Sequence, residues 1–329
     1  MLHLAIGRIL LIGSTALFSM IAITAVIKKS RARDEKIISQ IEKKPIPPEI
    51  VQQKIEIKNT KPLSLNGDLP CIDRIYQLFS KNPASQFPIV ETISYSSSVS
   101  WLAGRPAWLN DYADYYQTSS SFILRSLGTK EEYPSQRRIV EGNRFNVFRR
   151  DKKIEFYLLV DVSRCKMGFY YFDVGTNERV LLKTYSIGLG KLDPSKPSGS
   201  LTPLGKYLLG KRVATYQVES KGVYQNKTVD MITVFGTHWI PFEREIERAS
   251  EPAKGYGLQG SPWISNSSGQ LVEDLTCIGG YSSNGCIRLA SKDIEEIFLI
   301  VTTKPTFIEI VKDFKEATLP GIEVAAPSR

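Results

Sequence analysis

The run Ile154 to Val162 constrains the fold more than any other stretch of the chain. Ile154, Phe156, Leu158, Val160 and Val162 alternate with Glu155, Tyr157, Leu159 and Asp161. A period of two places one set of side chains on one face, so this run predicts a β-strand with a buried face. Two more strands are expected at Met167–Phe172 and Arg179–Tyr185. Between them, Asp173-Val174-Gly175-Thr176-Asn177 has the composition of a hairpin turn. Phe307–Val311 reads as a closing strand. Ser291–Ile300 reads as a helix capped by Ser291, with Asp293 in its first turn and Ile294, Ile297 and Phe298 on one face. Residues after Glu316 read as a loose tail. The C-terminal half is therefore expected to be mainly β with a short helix.

The N-terminal half is different. Ile9 to Ile27 is a run of 19 residues without a charge, flanked by Arg8 and Lys28-Lys29. It is long enough to cross a bilayer, and no small-residue cleavage site ends it, so an uncleaved signal-anchor is expected. Lys28, Lys29, Arg31 and Arg33 would by the positive-inside rule lie in the cytoplasm. Residues 28–68, with Pro45-Ile46-Pro47-Pro48, have the composition of an extended tether. Cys71–Lys81 carries Ile72, Ile75, Leu78 and Phe79 at helical spacing. Trp108–Tyr116 and Phe122–Leu127 predict two short helices with Thr118-Ser119 capping the second, and Ile139–Phe148 predicts a turn and a strand.

Charge and cysteine content exclude several classes of function. Residues 1–61 hold eleven Lys and Arg against five Asp and Glu, which places +6 of the net +9 there. The other 268 residues carry about +3 and no nucleic-acid-binding signature, so a nucleic-acid partner is not expected. The four cysteines, Cys71, Cys165, Cys277 and Cys286, include no CxxC pair, and there are two His. A Cys/His metal site is thereby disfavoured. Cys71 and Cys165 are expected to be buried as small apolar residues. A reversible Cys277–Cys286 disulfide is conceivable.

The stretch with chemistry in it is Ser283-Asn284-Gly285-Cys286-Ile287-Arg288-Leu289. Gly285 permits a tight turn before the thiol, and successive N–H groups there can point at a developing oxyanion. The stretch resembles the S-x-G-C-[IV]-R signature of the L,D-transpeptidase (YkuD-type) family. Gly255-Tyr256-Gly257-Leu258-Gln259-Gly260-Ser261 resembles that family's G-Y-G-I-H-G-T segment, with Gln259 where the family has its catalytic His. Tyr185–Gly190 leading to Thr202-Pro203-Leu204-Gly205, and Phe235-Gly236-Thr237-His238-Trp239, extend the likeness over roughly residues 154–313. Gln259 precedes Cys286 by 27 positions, more than the family usually allows, and the surplus over residues 262–277 is polar, as in a surface loop or lid. The order helix, helix, G-x-x-F-x-V before residue 150 resembles the second half of a glycan-binding LysM module, for which Ile93–Val99 would supply the opening strand. Trp101, Trp108, Tyr115 and Tyr116 would there be sugar-stacking rings or core.

The resemblance implies a YkuD-like β-sandwich over 151–316. It follows a small α/β LysM-like region at 69–150, a tether at 28–68, and a membrane segment at 1–27, with a tail at 317–329. It implies a cell-envelope location, peptidoglycan stem peptides and glycan as partners, the membrane as anchor, and neither cofactor nor metal. Cys286 would attack a tetrapeptide stem after its diaminopimelate centre and release D-Ala. Gln259 cannot accept the thiol proton, so His238 is a candidate base from the neighbouring strand. Arg288 would hold a carboxylate or form a structural ion pair, Ser283 would bond the thiol or cap the turn with Asn284 and Gly285, and Tyr256 and Trp239 would wall the groove. Cross-linking, hydrolysis by the same Cys, and a catalytically silent peptidoglycan-binding scaffold all remain compatible with these residues.

Overall fold

The computed structural model describes residues 69–128 and 139–326. The expected membrane segment and tether lie outside the described residues. Among the described residues, no helix is long and apolar enough to cross a membrane.

The first described part runs from a short helix, α1 (Tyr76–Phe79), through strand β1 (Val90–Ser94), helices α2 (Leu109–Tyr116) and α3 (Ser120–Ser126), and strand β2 (Arg144–Phe148). The helix expected over 71–81 is thus a single turn. The two expected helices form where their apolar spacing places them. Asp111 accepts from the Trp108 N–H at the start of α2, and Gln117 in the left-handed region ends it. Ser119 caps α3 by accepting from Phe122 N–H, and its hydroxyl also donates to the Leu299 carbonyl, which ties this part to the C-terminal half. β1 and β2 pair antiparallel, Val90 opposite Phe148. Strand, helix, helix, strand is therefore the observed order. Trp101 stacks on Tyr115 with ring centroids 4.3 Å apart, while Trp108 stands 68% exposed.

The C-terminal half is built on one ten-stranded mixed sheet rather than the two sheets of a sandwich. Strands β3 (Ile154–Asp161), β4 (Lys166–Asp173) and β5 (Glu178–Ser186) form an antiparallel meander. A two-residue strand, β6 (Leu189–Gly190), leads to β7 (Gly205–Leu209), and β8 (Ala214–Thr215) follows. A hairpin of β9 (Lys221–Tyr224) and β10 (Lys227–Asp230) and a one-turn helix, α4 (Ile232–Phe235), precede the long strand β11 (His238–Glu247). Beyond it come β12 (Gly257–Gly260), a hairpin of β13 (Trp263–Ser265) and β14 (Leu271–Glu273), β15 (Tyr281–Ser283), β16 (Ile287–Leu289), helix α5 (Ser291–Val301), β17 (Thr306–Val311) and β18 (Ile322–Glu323). Nine strands run in the order β16-β12-β11-β7-β17-β3-β4-β5-β18, and the tenth, β8, pairs with β11 off this path.

Strands at opposite ends of that order share one apolar cluster. Leu258, Ile287 and Leu289 from one end meet Val180, Leu182 and Tyr185 from the other, with Ile294, Ile297 and Ile300 of α5. The sheet is curled around this core. The odd-numbered side chains of β3 do not face water as alternation predicts. Tyr157 and Leu159 pack with Tyr170, Leu181, Phe314 and Leu319 in a second cluster. The cover on that face comes from the segment read as a loose tail: Arg179 Nη1 donates to the carbonyls of Pro320 and Gly321, and β18 pairs in parallel with β5. A buried guanidinium with several carbonyl acceptors holds a segment whose own sequence shows no periodicity.

Two smaller expectations also change. Ser291 is the first residue of α5 and Ala290 its cap, and the orphan Ser291 N–H is taken by the Glu273 carboxylate at 2.5 Å. The polar surplus at 262–277 is an ordered hairpin, β13–β14, whose turn is closed by Asn266 Oδ1 accepting from the N–H groups of Ser268 and Gln270.

Candidate active site

Cys286 lies at the edge of the curled sheet, where β12 and β16 run parallel with Gln259 opposite Arg288. Leu258, Ile287 and Leu289 enter the core. Side chains alternate along a strand, so Gln259, Arg288 and Cys286 share the other face, and Gly257 is the β12 residue beside Cys286.

The turn that presents the thiol is fixed from three sides. Gly285 has φ +115°, and a Cβ there would meet the Tyr256 ring at 2.6 Å and the Leu201 carbonyl oxygen at 2.8 Å, so no other residue fits. The Ser283 hydroxyl accepts from Gly285 N–H at 3.0 Å and donates to the Cys286 carbonyl at 2.6 Å. Ser283 therefore caps the turn and does not touch the thiol, and the Gly285 N–H is not free for an oxyanion. Thr202, fully buried, accepts from Gly190 N–H and donates to the Gly285 carbonyl at 3.1 Å. Asn284 is exposed at the tip.

Cys286 Sγ finds one acceptor, the Gly255 carbonyl, at 3.6 Å. Burial pushes the thiol up to about 11, against weaker opposing effects of the Gly257 N–H and the Arg288 charge. A thiol with that pKa is about 10⁻⁴ ionised at pH 7, against a few per cent for an unperturbed one.

The position held by the family's His does not supply a base. Gln259 is 4% exposed, and its amide donates to the Val234 carbonyl of α4 at 3.2 Å. His238 does not replace it. Its neighbour Trp239 is the residue opposite Gln259, and the next residue along a strand points the other way. The His238 ring packs on Phe298 of α5, 4.7 Å between centroids, with Nδ1 3.0 Å from the Thr237 hydroxyl. Burial lowers its pKa to about 4. His238 is a neutral ring on the helix side of the sheet, and the proposed role as base is corrected on that ground.

Arg288 is half-buried beside the thiol. Its Nη1 donates to the Ser282 hydroxyl at 3.0 Å, and its Nε is buried with no partner. It makes no ion pair among the described residues, so the alternative of a structural salt bridge does not hold. Tyr256 lies against Gly285, and Trp239 lies against Gly257, where a Cβ would come 2.8 Å from Trp239 Cη2. Both rings thus pack against glycines that neighbour Cys286.

All four cysteines are free. Cys71 is exposed, contrary to expectation, because the segment before α1 turns Leu69, Ile72 and Ile75 to the core and leaves Cys71 facing solvent. Cys277 is buried and donates to the Asp274 carbonyl and the Ser261 hydroxyl. Sequence reasoning missed Gly257, Thr202 and Val234. The Gly and Thr stood inside the recognised segments, while Val234 acts through its backbone and left no signal.

Residues 155–310 match the model of the YkuD family, the L,D-transpeptidase catalytic domain. Among solved structures, the helical cell shape determining protein Pgp2 from Campylobacter jejuni is similar at 17% identity, covering 49% of each chain, with a TM-score of 0.31. Bd1075 from Bdellovibrio bacteriovorus is similar at 16% identity, covering 48% of each chain, with a TM-score of 0.31. The match thus spans about half the length of each of those structures. No curated protein matches the chain.

The thiol environment sets an expected pH profile. A thiol raised by burial is protonated below its pKa and loses its proton only as pH rises through it. Alkylation of Cys286 by iodoacetamide should therefore accelerate about tenfold per pH unit between pH 7 and 10. Site-resolved peptide mass spectrometry separates it from exposed Cys71. A plateau near pH 8.5 would mean that burial does not govern the thiol.

Proposed function

We propose that this domain binds peptidoglycan stem peptides in the groove over Cys286 and transfers the tripeptide acyl group through Cys286, with thiolate supplied by solution rather than by a protein base. The single observation that carries the reading is the Cys286 turn. Ser283, Gly285 and Thr202 hold a nucleophile in place beside a guanidinium that has no carboxylate partner among the described residues, in a region that matches the L,D-transpeptidase catalytic domain model.

In this reading the Arg288 fork takes a stem carboxylate, for which a guanidinium without a counter-ion is suited. Hydroxide removes the Cys286 proton, and Sγ attacks the carbonyl between the third and fourth stem residues. The D-Ala nitrogen leaves with a proton from water. The thioester is then resolved by the amine of a second stem, which gives a cross-link, or by water. The Ile9–Ile27 run would anchor the chain and residues 28–68 tether it, on the cell-envelope side of the membrane.

Gln259 favours a second reading, a peptidoglycan-binding scaffold in which the chemistry is silent. The amide is spent on Val234 and offers the Cys286 thiol no base. The full chain incubated with disaccharide tetrapeptide at pH 7 and pH 10 separates the two. D-Ala release that grows with pH and is lost in Cys286→Ala supports acyl transfer, and dimers among the products make it transpeptidation. Ligand binding with no release at either pH supports the scaffold.

A further inference from the structure

Gly257 is the β12 residue beside Cys286, and Trp239 packs directly over it: a Cβ there would come 2.8 Å from Trp239 Cη2. From Trp239 the aromatic surface continues away from the thiol. Phe235 of α4 lies 5.1 Å from Trp239, Tyr216 stacks on Phe235 at 5.9 Å, and Tyr224 of β9 meets Phe235 edge-on at 5.5 Å. All four rings are half-buried, each with part of its surface in solvent. The strip is built by residues between β8 and β11, and Gly236 lets α4 approach closely: a Cβ there would meet the Gly260 backbone at 2.5 Å. The Gln259 amide holds α4 in the same position through Val234.

We propose that this strip is a glycan subsite, on which a hexosamine ring of the strand carrying the stem peptide stacks while the stem runs down to Cys286. The inference rests on the peptidoglycan reading above. Two observations select a sugar as occupant. The side chains of a stem peptide end in methyl, carboxylate and amine groups, and none offers a broad apolar face to an aromatic ring, whereas the pyranose ring does. The dimensions also agree. The sugar is joined to the first stem residue and the scissile bond follows the third, a reach of roughly 10 Å for extended chain. The two steps from Trp239 through Phe235 to Tyr216, 5.1 and 5.9 Å, make a strip of that order. The strip begins at Trp239, which packs on the glycine beside Cys286, so both parts of one ligand can be held at once.

The test is calorimetric binding to the full chain carrying Cys286→Ala, which prevents turnover, with tetrapeptide and disaccharide tetrapeptide compared. The disaccharide ligand should bind about tenfold tighter, the gain expected of one or two stacked rings. Tyr216→Ala should remove most of that advantage and leave tetrapeptide affinity unchanged. Tyr224→Ala, at the outer edge of the strip, serves as the second variant should Tyr216→Ala fail to fold. Equal binding of both ligands, or a preference that neither substitution reduces, overturns the subsite while the peptidoglycan reading stands. Binding of neither ligand overturns both.

Discussion

Gln259→His should raise the rate of D-Ala release at pH 7 by about 10²–10⁴-fold, the span a positioned general base contributes. The site around residue 259 is prepared for an imidazole. The Val234 carbonyl already accepts from the Gln259 amide at 3.2 Å, and it would accept equally from one ring N–H, fixing the tautomer and leaving the second nitrogen as acceptor. Gln259 shares the sheet face with Cys286, on the strand that pairs in parallel with β16. The effect should appear as a pH profile as well as a rate. The limb set by a thiol near 11 should give way to one set by the imidazole near neutrality. Steady-state release of D-Ala from pH 6 to 11 measures both. An unchanged rate with an unchanged profile would mean that residue 259 does not face the thiol.

Gly285→Ala should strongly destabilise the turn that presents Cys286. Its φ of +115° is open to glycine alone, and the new Cβ would lie 2.6 Å from the Tyr256 ring and 2.8 Å from the Leu201 carbonyl oxygen. A flexible side chain could yield, but Leu201 presents backbone, and that backbone is held by Thr202, whose hydroxyl donates to Gly285 itself. Strain in a glycine-only conformation costs on the order of 1–3 kcal/mol before the clash is added. A melting temperature lower by roughly 5–10 °C is expected for a domain of this size. Cys286 alkylation should at the same time lose its steep pH dependence, because the displaced turn exposes the thiol. A melting temperature within a degree of the parent, with the pH profile intact, would contradict the account of this turn. Gly255, at φ +93° with open space around it, is the comparison site, where a methyl meets no atom.

The parts of this molecule legible in the sequence are those in which local pattern and tertiary role agree. β3, β4, β5 and β17 lie where period-two alternation and a hairpin turn place them, and α5 follows its apolar stripe. Cys286, Gly285, Tyr256 and Trp239 could be named because each acts through its own side chain or its own backbone conformation. The misreadings share a physical cause, which is that a partner far along the chain decides the outcome. The second face of β3 is buried because residues 314–319 cover it, and those residues are held by Arg179. The polar stretch 262–277 is ordered because Asn266 closes a hairpin and Glu273 caps α5. His238 shows the limit most clearly. Its place in the sequence brings it to the strand beside Gln259, but the parity of a β-strand turns its ring to the opposite face.

On this reading Cys286 is a held nucleophile served by no base among the described residues. Intact mass of the full chain, quenched after brief incubation with a stem tetrapeptide at pH 7 and at pH 10, tests it most directly. A tripeptide thioester on Cys286 is expected at pH 10, much less of it at pH 7, and a strong adduct at pH 7 in Gln259→His. Full acylation of the unaltered chain at pH 7 would contradict the claim by showing that a base is present, and no adduct in either protein at either pH would contradict it by showing that Cys286 is not a nucleophile.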